Sequence, residues 1–120
     1  MNTKTSGDWG ESQVAAYLCR RGFRIVTTKY RCRFGEIDLI ARDGDMLCFV
    51  EVKLRRNTDY GLPREYVTSA KQRRLRKTAE WYISCRDPEA RCRFDVAEVY
   101  PDPTDLLLPP RIVYLEDAVA

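Results

Sequence analysis

The chain has 120 residues and a mass of 14.0 kDa, enough for one domain with its own core and too few for two. Its hydrophobic fraction of 44% and charged fraction of 32% suit a folded soluble chain. No apolar run approaches a membrane span, and the N-terminal MNTKTSGDWGESQ lacks the apolar core of a signal peptide, so a cytoplasmic protein with no membrane contact is expected. Histidine is absent, which excludes a Ser-His-Asp triad, a Cys-His pair, histidine-ligated zinc and an imidazole general base, and leaves carboxylates, lysines, hydroxyls, thiols and a metal to carry any chemistry.

The net charge of +3 is mild, but 21 basic residues are unevenly spread, and carboxylates engaged with a metal would leave a more basic surface suited to a polyanion. The five cysteines form no CxxC pair and read as reduced, mostly buried small hydrophobes.

In chain order, Asp8–Arg21 predicts a first helix, with Val14, Ala15, Tyr17 and Leu18 at helical spacing and Gly22 as its stop. Glu11 shares a face with Ala15 and Leu18, which would carry a carboxylate toward the core. Alternatively, Asp8-Trp9-Gly10-Glu11 is a capping box with Asp8 as N-cap. Phe23–Tyr30 predicts a strand, followed by a basic connection in which Arg31 and Arg33 either touch phosphate or decorate a solvated turn.

The most informative stretch is Gly35–Arg55, GEIDLIARDGDMLCFVEVKLR, which predicts a hairpin. The runs Glu36–Ala41 and Met46–Leu54 flank an Asp-Gly connection. Alternation puts Glu36 and Asp38 on one side and Ile37 and Leu39 on the other, while Glu51 and Lys53 share a face. Asp38 and Glu51 then sit near the same end of the hairpin. Like charges about 4 Å apart repel by roughly 4 kcal/mol at an effective dielectric of about 20. Either Lys53 together with a divalent hard cation balances them, or they are solvated charges paired across the hairpin.

Beyond the hairpin, Arg55 and Arg56, expected to contact nucleic acid, open a polar loop over 57–64. A second helix is expected over Thr68–Cys85, with Leu75, Ala79 and Tyr82 facing the core, Lys71 one turn before Leu75 on that face, and Arg73, Arg74, Arg76 and Lys77 making a basic patch. That patch is either an ordinary solvated face or a phosphate-contacting one. Arg91–Tyr100 predicts a further strand whose Asp95 pairs a nearby arginine, and Arg111–Leu115 a short final one.

These residues carry a resemblance. Asp38, then after a hairpin Glu51-Val52-Lys53, resembles the signature of the PD-(D/E)xK nuclease superfamily. GEIDLIARD, FVEVKLR and RFDV resemble the YraN family of small bacterial proteins, similar in architecture to archaeal Holliday junction resolvases. The resemblance implies a restriction-endonuclease-like αβββαβ core, which agrees with the α/β fold and mixed central sheet flanked by helices that the periodicities give. It implies metal-dependent phosphodiester hydrolysis, with Asp38, Glu51 and Lys53 catalytic and Mg²⁺ or Mn²⁺ held by Asp38, Glu51 and Glu11. Glu36 would be a supporting or alternative ligand. Lys71 looks like the helix-borne basic residue flanking the catalytic strands, and Tyr60-Gly61 like the aromatic-Gly after the lysine strand. Nucleic acid is the implied partner, with DNA ahead of RNA, and a homodimer the implied assembly. The competing expectation is a binding module of the same fold that does not cut.

Overall fold

The computed structural model describes residues 3–56 and 69–118. Tyr60-Gly61, Thr68 and Val119 lie outside the described residues. The chain runs α1 (Thr3–Arg20), β1 (Arg24–Cys32), β2 (Gly35–Asp43), β3 (Met46–Leu54), α2 (Ser69–Arg86), β4 (Arg91–Tyr100) and β5 (Arg111–Leu115). Among the described residues this is an α/β fold with a five-stranded mixed sheet and two helices, consistent with an αβββαβ restriction-endonuclease-like core.

The sheet order is β1-β2-β3-β4-β5, with β3 and β4 parallel and the other neighbours antiparallel. A parallel neighbour needs a crossover, and the segment containing α2 connects β3 to β4. The β2–β3 hairpin forms as its sequence predicts. Asp43 pairs with Met46, and Gly44 takes φ +62°, a value that costs a glycine little.

The helices cover opposite faces of the sheet, so β3 is apolar on both sides. Leu47 and Phe49 join Leu75, Ala79 and Tyr82 of α2, while Cys48 and Val50 join Val14 and Leu18 of α1. Phe49 is fully enclosed, with its ring stacked 5.4 Å from Phe94 and edge-on to Tyr82 at 6.0 Å.

Three expectations need correction. Helix α1 begins at Thr3, so Asp8 lies inside it and cannot be the N-cap of a box with Glu11. The polar MNTKTSG stretch hid this start, because it has no apolar period to read. Ile37 and Leu39 do not share a face: Ile37 packs in the α2-side cluster and Leu39 in the α1-side cluster. Simple alternation therefore fails across Asp38. Of the cysteines, all free, only Cys48 is buried, while Cys19, Cys85 and Cys92 are exposed.

Candidate active site

The break in alternation at Asp38 is where the site forms. The β2–β3 ladder is paired from Asp43↔Met46 to Leu39↔Val50. Beyond that point the Asp38 carboxylate, in place of a backbone carbonyl, accepts the Val52 N–H at 2.8 Å. The two strands fork there, and the fork holds the acidic residues. Glu51 is 9% exposed and lies on the α2 side by alternation with Phe49, and Lys53 follows it on that side.

Two lysines reach the fork from outside the hairpin. Lys71 of α2 places Nζ 3.0 Å from Glu51 Oε1. Lys29 of β1 places Nζ 2.8 Å from Glu11 Oε2 and also binds Asp8. Glu11 is only 8% exposed, and Gly10 beside it lies over Val52, which brings this end of α1 onto the site strand. Lys29 has φ +51°, an unusual conformation for a lysine, which fits a side chain aimed at a specific place. By the β1–β2 register it lies opposite Asp38.

The electrostatics follow. Burial, then the charge of Glu51, push the Asp38 carboxyl up to about 7, against the Val52 hydrogen bond, while Glu11 and Glu36 add smaller upward contributions. Burial and the neighbouring Lys71 hold the Lys53 ammonium below its ordinary value. For Lys71, burial is the largest influence and acts downward, but the hydrogen bond to Glu51, the charge of Glu51 and smaller contributions from Lys53 and Asp38 together outweigh it and leave the ammonium raised. Hydrogen bonds to Asp8 and then Glu11 raise Lys29. Glu11 and Glu51 thus have internal counter-ions, and the half-buried Asp38 carries the unmet demand for positive charge.

No group of three or more carboxylate or thiol side chains is gathered as a ready cation cage among the described residues. Asp38, Glu51 and Glu11 are the carboxylates that could offer oxygens to a hard divalent cation, and the burial and Glu51 charge that raise Asp38 are what such an ion would relieve.

The other expected site residues are placed differently. Glu36 pairs with Arg31 at 3.1 Å on the surface, and it reaches Asp38 only through its field. Arg55 Nε lies 3.2 Å from Oε2 of Glu98, a carboxylate only 1% exposed, which engages Arg55 inside the fold. Arg56 lines a surface hollow with Pro101, Asp102 and Pro103. Arg33 lies over the Phe34 ring, and Arg74 is exposed one turn beyond Lys71 on α2. Asp95 is structural, as expected. It binds Arg93 through both oxygens and accepts from the Tyr114 hydroxyl at 2.6 Å and the Asp117 amide at 2.8 Å.

Sequence reasoning missed Lys29 and Glu98. Nothing local marks a strand lysine as an internal counter-ion. For Glu98 the signal was a carboxylate within the apolar run VAEVY.

Comparison with known proteins adds the family. The model of the uncharacterised protein family UPF0102 matches residues 10–99, three-quarters of the chain, including Glu11, Lys29, Asp38, Glu51, Lys53 and Lys71. The chain belongs to the UPF0102 family. It is 52% identical over 98 residues to the UPF0102 protein of Symbiobacterium thermophilum, covering 81% of this chain and 83% of that one. It is 48% identical over 98 residues to the UPF0102 protein of Lachnoclostridium phytofermentans, at 80% and 83% coverage. A third relative, the UPF0102 protein of Dictyoglomus thermophilum, is 45% identical over 100 residues, at 82% and 85%. These UPF0102 descriptions name no activity, so function has to be argued from the fork. No helix among the described residues is long and apolar enough to cross a membrane.

Proposed function

We propose that this UPF0102 protein is a metal-dependent endonuclease acting on DNA, with Asp38, Glu51 and Glu11 holding Mg²⁺ or Mn²⁺. The observation that supports this reading is the β2–β3 fork, where the Asp38 carboxylate accepts the amide of Val52, the residue between Glu51 and Lys53, and is raised by burial and by the charge of Glu51. A bound divalent cation would polarise a phosphoryl oxygen and acidify a coordinated water.

The chain's own residues do the remainder. The Val52 amide fixes the Asp38 carboxylate in one orientation. Lys71 holds Glu51; were a divalent cation bound, Glu51 would be one of its oxygen donors and the Lys71 ammonium would be released toward an anionic substrate. Lys53, which follows Glu51 on the same side of β3, would offer its partly buried ammonium to phosphate oxygens gaining negative charge in the transition state. Arg74 and the other cations of α2 supply phosphate contacts that position the strand without reading its sequence.

A second reading has an observation in its favour. Glu11 and Glu51 are already neutralised by Lys29 and Lys71, as suits a nucleic-acid-binding module that needs no metal. Thermal unfolding of wild type and Asp38→Ala, with and without millimolar Mn²⁺ or Mg²⁺, separates the two, because a ligand of the folded state raises its stability by mass action. A gain of several degrees in wild type that Asp38→Ala lacks supports the nuclease, and branched and single-stranded DNA are then assayed for cleavage. No gain in either protein leaves the metal-independent binding module.

A further inference from the structure

Away from the fork, α2 exposes a stripe formed by Arg74, Lys77, Trp81 and Ser84, at i, i+3, i+7 and i+10. It is basic toward the fork and aromatic farther along. Trp81 is 43% exposed, unusual for an indole. The β1–β2 turn brings Phe34 to it, with ring centroids 5.8 Å apart at 60°. The Arg33 guanidinium lies 4.8 Å from the Phe34 centroid and 5.9 Å from that of Trp81. Gly35 seats the turn. It has φ +153°, and a Cβ there would stand 3.0 Å from Thr78 Oγ1 of α2. The result is an open depression of about 380 Å³ lined by Phe34, Lys77, Glu80, Trp81 and Ser84.

An exposed indole with a second ring, a guanidinium over both and lysine and arginine along the same helix combines a π-surface with a phosphate-attracting field. Aliphatic or acidic partners would use only part of that combination. Unpaired nucleic acid uses all of it, because every base offers a face to stack and every linkage a negative charge. Trp81 lies ten residues beyond Lys71 on a helix rising about 1.5 Å per residue, so the depression is about 15 Å along α2 from the fork.

We propose that Trp81, with Phe34, Arg33 and Lys77, forms a stacking subsite for an unpaired nucleobase, so that the substrate class is DNA with a single-stranded or splayed segment near the scissile phosphate. This rests on the reading of the protein as one that engages nucleic acid.

The test measures binding of a short fluorescent oligothymidylate and of a blunt duplex of equal length, in EDTA, by wild type, Trp81→Ala, Trp81→Phe and Asp38→Asn. Trp81→Ala weakens single-strand binding roughly ten-fold, within the range of a lost base–aromatic stack. It leaves the salt dependence and duplex binding unchanged, and Trp81→Phe recovers most of the loss. In a Trp9→Phe background, where Trp81 is the remaining tryptophan, its emission is quenched by the oligonucleotide, a readout independent of how Trp81→Ala folds. Wild-type affinity in Trp81→Ala, equal losses on both ligands, or unmoved Trp81 emission would each overturn the subsite. The two readings fail separately. Trp81-dependent binding without metal response or cleavage removes the nuclease alone, whereas cleavage indifferent to Trp81 removes the subsite alone.

Discussion

Lys71 Nζ lies 3.0 Å from Glu51 Oε1, so a lysine of α2 neutralises the acidic residue of β3 that would also ligate a metal. If Glu51 ligates a cation as proposed, ammonium and cation would compete for one carboxylate. Lys71→Met should therefore lower stability in EDTA by about 1 kcal/mol, a modest loss because the lysine is half exposed. The same variant should gain more from millimolar Mn²⁺ than wild type does. Thermal unfolding with and without Mn²⁺ measures both, and a smaller gain in the variant would show that Lys71 does not compete with a cation.

Asp38 sets a pH dependence. Its carboxyl is raised from 3.8 to about 7 by burial and then by Glu51, so the folded protein holds a proton that the unfolded chain releases. The stabilisation is complete below the unfolded value and is lost as pH rises through about 7. In EDTA, stability should fall between pH 5 and 8 by roughly 1–3 kcal/mol from this residue. Asp38→Asn, which keeps the shape without the charge, should flatten that segment of the curve. Urea midpoints at several pH values check it, and parallel curves for the two proteins would refute the linkage.

Lys53 can be separated from the ligands. Its ammonium adjoins Lys71 and is partly buried, and it is not a carboxylate donor. With a cleavable DNA substrate, Lys53→Met should reduce the rate by roughly 10²-fold or more, as for loss of a charge-stabilising donor, while retaining the Mn²⁺-induced shift in unfolding temperature. Wild-type turnover in this variant would remove Lys53 from the chemistry.

Arg55 tests structure against binding. Its guanidinium lies against Glu98, which has 1% exposure, so Arg55→Met strips a contact from a buried carboxylate and should cost about 3 kcal/mol. Arg74→Ala, exposed on α2, should cost little stability and reduce the slope of log affinity against log salt by about 1. Denaturant midpoints and salt titrations of oligonucleotide binding distinguish the roles. An Arg55→Met protein of wild-type stability would return Arg55 to the binding surface.

Much of the architecture was legible because it is written in local periods. The hairpin shows in two apolar runs around Asp-Gly. The strands Arg91–Tyr100 and Arg111–Leu115 run as their patterns predicted, and α2 ends within a residue of expectation. The hairpin that carries Asp38, Glu51 and Lys53 was legible too.

Partnership across the fold was not. Lys29 carries no mark in the sequence, and Lys71 reads only as a residue on the core-facing side of its helix; tertiary packing aims one at Glu11 and the other at Glu51. Arg55 looked like a phosphate contact until the parallel pairing of β3 with β4 set Lys53 beside Glu98 and left Arg55 within reach of that carboxylate. Ile37 left its alternation partner Leu39 because the strands fork at Asp38, where a side chain replaces a backbone acceptor. The sequence by itself determined the elements, the class of fold and the acidic hairpin, since period and turn chemistry act over a few residues. The tertiary structure alone decided which cation meets which carboxylate and how deeply each is buried, because those depend on contacts between segments far apart in the chain.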